Sequence, residues 1–145
     1  MTEGVSLTIP FFNEEAVLDR TLNETWRFLQ TLNRPFELLL GDDGSTDSSH
    51  DIASRFAAAH PQECKLFRNP RNRGKGSILT QVFRQATMPI VAFVDADLEI
   101  GLAHVKELVT CFDDPRVQVC TGSKLSTPQP RIRARHRKLA SLVFN

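Results

Sequence analysis

Four short apolar runs, each ending in a polar cluster, set the limits of this fold. Val5–Pro10, Phe36–Leu40, Cys64–Phe67 and Ile90–Val94 are four to six residues long, the length of strands rather than helices. The segments between them have helical spacing. Glu14–Leu32 carries apolar residues at 18, 22, 26, 29 and 32, with Asn13 in the N-cap position and acids in the first turn. Thr46–His60 places Ile52, Phe56 and Ala59 on one side, and Ser77–Gln85 and Leu102–Phe112 read as further helices. Val117–Thr121 predicts another strand. Pro128 and Pro130 then break the chain before a basic helix over 132–144. Strands alternating with helices predict an α/β fold, a mostly parallel sheet with helices on its faces. The run at 90–94 is apolar throughout, so it predicts a strand covered on both faces.

A chain of 145 residues fits one domain, 1–145, and its 41% hydrophobic content is enough for a core. The net charge of +1 points to no partner, but its distribution does. Arg131, Arg133, Arg135, Arg137 and Lys138 form a run without an acid, whereas the first 130 residues hold all 17 acids against 13 bases. Cys64, Cys111 and Cys120 are odd in number and lack metal-ligand spacing. Cys64 and Cys120 lie in apolar stretches, where a thiol behaves as a small hydrophobe, and this favours a reducing compartment. No apolar stretch reaches 18 residues and no secretory signal opens the chain. The expected location is cytoplasmic, peripheral at the cytoplasmic face of a membrane.

In a parallel sheet the strand ends share one edge, and ligands bind in the crevice outside it. The first run leads to Pro10-Phe11-Phe12-Asn13-Glu14-Glu15, the second to Asp42-Asp43-Gly44-Ser45-Thr46-Asp47. The third leads to Asn69-Pro70-Arg71-Asn72-Arg73-Gly74-Lys75-Gly76, the fourth to Asp95-Ala96-Asp97-Leu98-Glu99. Two carboxylates one residue apart can hold a hard divalent cation and, through it, a diphosphate. Phe12 could pack on a base, and Asp43 could accept from a base N–H or a ribose hydroxyl. Gly74 and Gly76 would let backbone approach a phosphate, with Lys75 supplying charge. Taken singly, each cluster also reads as an ordinary solvated turn or basic loop.

The four clusters, in this order, resemble the family-2 inverting glycosyltransferases of the GT-A fold. The resemblance extends over about residues 5–145, and its nearest branch is similar to the dolichol-phosphate and polyprenyl-phosphate sugar transferases. It implies a Rossmann-like, mostly parallel sheet flanked by helices and incomplete at the C-terminus. Residues 5–100 would form the sugar-nucleotide-binding half, and 101–145 the start of an acceptor half with a basic C-terminal helix.

The resemblance also implies roles. Pro10, Phe12 and Glu14 match the segment around the base and ribose, Asp43 matches the acid that reads the base, and Lys75 and Ala96 fall in the nucleotide-binding motifs. Asp95 and Asp97 match the Asp-x-Asp motif that holds Mg²⁺ or Mn²⁺, with Asp97 the direct ligand and the catalytic position. Glu99 stands where that branch commonly has Gln, a departure that could add a metal ligand or alter sugar preference. Gly122-Ser123-Lys124 matches a Gly-Ser-Arg segment for the acceptor phosphate. Lys124 keeps the charge but loses Arg's planar fork. Ser123, Lys124 and Arg137 are the acceptor candidates.

The implied reaction moves a sugar from a UDP- or GDP-linked donor to an acceptor, with inversion. A hydroxyl acceptor needs a general base, and a phosphate acceptor needs none. Glu107, Asp113 and Asp114 read as solvated helix-end charges rather than bases. The basic end, with Ile132, Leu139, Leu142 and Val143, suits a polyprenyl phosphate and an anionic membrane surface. A solvated face is its plain alternative, and without interleaved aromatics no nucleic acid is expected. A truncated sugar-nucleotide-binding module without turnover is the competing function. A signalling receiver would place its acid pair after the first strand, whereas here one follows the second. A sugar nucleotidyltransferase would need a Gly-rich signature after the first strand, and none is present.

Overall fold

The structure, a computed structural model, describes residues 3–99 and 101–122. The described elements alternate in chain order. They are β1 (Val5–Phe11), α1 (Leu18–Gln30), β2 (Phe36–Asp42), α2 (Ser49–Ala59), β3 (Cys64–Arg68), α3 (Lys75–Phe83), β4 (Ile90–Phe93) and α4 (Leu102–Thr110). A short 3₁₀ turn, Cys111–Asp113, follows. All pairings are parallel, in the order β3-β2-β1-β4. The register aligns Phe11 with Asp42 and Asp42 with Arg68, so the first three strands end level with one another.

The period of two along β1 sorts its residues between layers. Val5, Leu7, Ile9 and Phe11 join a large core with Leu18, Leu22 and Leu29 of α1, Ala53 of α2, and Val105 and Val109 of α4. On the other face Leu39 packs with Ile78 and Val82 of α3. Gly41 is needed there, because a Cβ would come within 2.9 Å of Ile78 and 3.2 Å of Val82. Pro10 lies past the last β1 residue paired with β4, so its missing N–H breaks no bond to that neighbour.

Three sequence expectations change. β4 is well covered on one face only: Ile90 and Val94 are buried, while Val91 and Phe93 remain exposed. Among the described residues it is an edge strand, and an edge strand need not be apolar on both faces. Asn13 caps no helix. α1 begins at Leu18, and Asn13 adopts φ 54° with its side chain turned to the loop after β2. Val117–Thr121 forms no strand, for no described strand pairs with it. Cys64 is buried as expected, which pushes its thiol up to about 12. Cys120 is only half-buried, beside Cys111, whose hydrogen bond raises its pKa. The expected helix at 132–144, with Ser123, Lys124 and Arg137, lies outside the described residues. Among the described residues no helix is long and apolar enough to cross a membrane.

Candidate functional site

The loops after the strands are laced to one another. Asn13 N–H donates to Ser45 Oγ (3.1 Å), and Asn13 Oδ1 accepts from Thr46 N–H (2.8 Å). Glu14 N–H donates to Ser49 Oγ (2.8 Å), and Glu15 Oε2 accepts from Ser48 N–H (2.9 Å). Asp47 accepts from Ser49 N–H (2.9 Å) and Glu15 N–H (3.2 Å). Burial raises the Asp47 pKa, but these bonds, led by those from Ser49, outweigh it and hold the carboxyl below its usual range. The polar residues of the first two motifs therefore fix each other's backbone.

Asp42, fully buried at the end of β2, braces the same turn. Its Oδ1 accepts from Ser45 N–H (2.7 Å), and its Oδ2 meets Arg68 Nε (3.2 Å) and His50 Nδ1 (2.9 Å). Gly44 follows at φ +79°, where a Cβ would lie 2.5–2.8 Å from the backbone of Arg71 and Asn72. Only glycine suits both that conformation and that approach.

Asp43 organises the loop after β3. Its Oδ1 accepts from Asn69 Nδ2 (2.7 Å) and Arg73 N–H (3.0 Å), and its Oδ2 accepts from Gly74 N–H (2.7 Å). α3 starts at Lys75, two residues earlier than expected, so its N-terminal amides adjoin this loop. The Asp-x-Asp turn is held from α1, where Thr21 Oγ1 donates to Ala96 O (2.6 Å). Leu98 sits at φ 51° with its N–H on Asp95 O (3.0 Å), and Asp97 Oδ1 accepts from Glu99 N–H (3.0 Å).

These loops enclose a cleft of about 270 Å³ at the carboxyl edge of the sheet. Pro10, Phe12, Glu14, Asp43, Lys75, Asp95, Ala96 and Asp97 all line it. Gly74, expected to let backbone approach a phosphate, lines it as well, and so do Phe11, Asn72 and Ile78, which had no individual expected role. Asn72 lies inside a motif already recognised and could have been picked out there, whereas Ile78 looks like any core residue. Glu99 lies outside the lining. Lys75 Nζ contacts Asp95 Oδ1 and stands 5.0 Å from the centre of the Phe93 ring. Burial, then the charges of Asp97, Asp47 and Asp95, raise the pKa of Glu14.

The donor chemistry suits a hard divalent cation. Asp95 and Asp97 offer carboxylate oxygens at one wall of the cleft. Among the described residues no three His, Cys, Asp or Glu side chains form a preassembled metal cage. Mg²⁺ commonly needs only one or two carboxylates when phosphate oxygens complete its shell.

Residues 6–144 match the sequence profile described as Glycosyl transferase family 2. The chain is 27% identical over 143 residues to the glycosyltransferase AglD of Haloferax volcanii, covering 97% of this chain and 23% of that protein. It is 35% identical over 106 residues to the undecaprenyl-phosphate 4-deoxy-4-formamido-L-arabinose transferase of Serratia proteamaculans, covering 72% and 32%. Among solved structures it resembles the mannosyltransferase PcManGT from Pyrobaculum calidifontis in complex with GDP-Man and Mn²⁺. There the TM-score is 0.68 at 27% identity, covering 81% of this chain and 34% of that one. S. aureus TarS 1-349 in complex with UDP-GlcNAc aligns with a TM-score of 0.60 at 26% identity, covering 76% and 31%. The chain thus spans about a quarter to a third of the length of these relatives.

Proposed function

We propose, on the premise that the chain belongs to glycosyltransferase family 2, that its cleft binds the donor of a sugar transfer, a UDP- or GDP-linked sugar. The sugar would pass to an acceptor phosphate of polyprenyl type, with inversion at the anomeric carbon. One observation carries this reading: the strand-end motifs, far apart in sequence, converge on a single cleft at the sheet edge where α/β folds bind nucleotides.

Phe12, 39% exposed at the cleft, offers an aromatic face to the base. Pro10 and Glu14 shape the base and ribose end. Asp43 has three of its roughly four acceptor positions filled by the chain, so it contributes mainly by setting the loop that meets the nucleotide. The N-terminus of α3, which follows directly on Gly74, presents backbone amides to the diphosphate, and Lys75 adds a positive charge as the leaving group becomes more negative. Mg²⁺ or Mn²⁺ bound at Asp95 and Asp97, with Glu99 as a further candidate ligand, would supply Lewis-acid neutralisation of the leaving diphosphate.

Ser123 and Lys124, with Arg137, are proposed for the acceptor phosphate, which attacks as an anion and needs no proton removed. The bases at 131–138 would hold the chain at the cytoplasmic face of an anionic membrane. The test is thermal stabilisation by a panel of UDP- and GDP-sugars with and without Mn²⁺. Metal-dependent stabilisation by one nucleotide class is the expected result, and none with either class would refute donor binding. Release of nucleoside diphosphate in the same mixtures distinguishes turnover from binding alone.

A further inference from the structure

We propose that Lys75 is the resident counter-ion of Asp95 and changes partner when donor and metal arrive, so that the two bind cooperatively. The proposal rests on the donor-binding reading above and adds to it a coupling device.

Among the described residues lining the cleft, Lys75 is the one Lys or Arg, against the acids Glu14, Asp43, Asp95 and Asp97. The Asp43 carboxylate already accepts three hydrogen bonds from its own chain. Lys75 instead pairs with Asp95, both side chains half-exposed, so the contact is replaceable. Its position is guided by Phe93, a large apolar side chain left 47% exposed on the uncovered face of β4. Lys75, the first residue of α3, holds its ammonium 5.0 Å from the centre of that ring. Phe83, the last residue of α3, places its own ring 6.3 Å from the same Phe93. Both ends of the helix thus reach the aromatic ring over which the ammonium rests.

The consequence is a competition. A divalent cation at Asp95 needs the carboxylate that Lys75 occupies, and repels the ammonium beside it. A diphosphate in the cleft needs a cation and gives Lys75 a new partner. Metal alone is therefore opposed by Lys75. Metal with nucleoside diphosphate is not, because the ammonium moves to phosphate oxygens as the cation takes Asp95. Linkage makes the effect reciprocal: the nucleotide must raise metal affinity by the factor by which metal raises nucleotide affinity.

The experiment closes this cycle for the wild type, Lys75→Met and Lys75→Arg. Free Mn²⁺ is followed by electron paramagnetic resonance without nucleotide, and UDP and GDP binding by calorimetry with and without Mn²⁺. Lys75→Met is expected to bind Mn²⁺ alone about fivefold more tightly, the scale of one exposed ion pair. It should also bind the diphosphate more weakly, with a smaller coupling factor. Lys75→Arg keeps the charge and should leave Mn²⁺ alone bound as weakly as in the wild type. If Lys75→Met leaves affinity for Mn²⁺ alone or for the diphosphate unchanged, while the wild type binds diphosphate with Mn²⁺, the exchange is refuted and donor binding stands. A wild type that binds neither UDP nor GDP with Mn²⁺ refutes donor binding itself, and the exchange with it.

Discussion

Asp43 and Asp97 are both acids of the cleft, but burial gives them different work. The Asp43 carboxylate is buried and accepts from Asn69, Arg73 and Gly74. An Asp43→Asn change sets an amide N–H₂ against at least one of those donors, so that donor loses its acceptor beside a buried side chain. We expect a loss of about 1–3 kcal/mol in urea unfolding. The amides of Arg73 and Gly74 should exchange faster with deuterium in the absence of any nucleotide, and nucleotide binding should weaken. Unchanged protection at those two amides would show that the loop stands without the acid. Asp97 is exposed, and its one described hydrogen bond is from Glu99 N–H. Asp97→Ala should leave stability within about 0.5 kcal/mol, as substitutions outside the core usually do. It should abolish metal-dependent stabilisation by the sugar nucleotide. Retained stabilisation with Mn²⁺ would remove Asp97 from the metal site. From sequence alone the two acids look alike; only the fold shows that one is spent on the chain itself.

At the scale of elements, the opposite edge of the sheet is tied by a single buried acid, Glu37. Its Oε1 accepts from Ser6 Oγ on β1 (2.6 Å) and from Thr87 N–H before β4 (2.6 Å). Its Oε2 meets Lys65 Nζ on β3 (3.3 Å). Burial raises the Glu37 pKa, but the hydrogen bonds from Ser6, Thr87 and Lys65 outweigh it, and the net shift is downward. A lowered carboxyl pKa means that the native state favours the ionised form. The resulting stability is present above the ordinary glutamate value of about 4.5 and is lost as pH falls through the lowered native value. Glu37→Gln should therefore cost about 1–3 kcal/mol near neutrality, and the difference from wild type should shrink on acidification below about pH 4.5. Denaturant midpoints across that range check the sign. A difference that is constant with pH would mean that the charge is not what ties the strands.

Element types were legible because periodicity survives into the fold: Leu18, Leu22 and Leu29 fall on the buried stripe of α1 as their spacing requires. Boundaries were less so. Asn13 looks like a cap in sequence, yet its side chain is claimed by Thr46, 33 residues away, and the helix starts later. Val91 and Phe93 look like core, but nothing local in a sequence says that a strand lies at an edge. The apolar run at 117–121 shows the same limit, since a strand exists only where a partner accepts its backbone. The cleft was legible for a different reason. Parallel topology alone sends strand ends to one edge, so motifs at predicted strand ends had to meet. What stayed hidden was the division of labour among them, with Asn13, Ser45, Asp47 and Ser49 serving the loops and Lys75 lying on Asp95.

For the whole molecule, the separation of charge along the chain is the largest feature that the described residues leave unused. All 17 acids lie in the first 130 residues, whereas Arg131, Arg133, Arg135, Arg137 and Lys138 fall within eight positions, beyond the described residues. An acidic body would by itself be repelled by an anionic membrane, where a polyprenyl phosphate acceptor would reside. A short basic run would overcome this, because attraction acts within about a Debye length of the surface and each base there is worth about 1 kcal/mol. On the same proposal, Ile132, Leu139, Leu142 and Val143 would add an apolar contribution that salt does not screen. Neutralising Arg133, Arg135 and Arg137 together should then weaken co-sedimentation with anionic liposomes by up to about 3 kcal/mol at low salt. The residual binding should be less salt-dependent than that of the wild type. Nucleotide stabilisation should not change, since every residue proposed for the donor and its metal lies within the first 100 positions. Equal sedimentation of the wild type and the triple variant would reduce the run to a solvated face, and the acceptor would then have to reach the cleft without help from these charges.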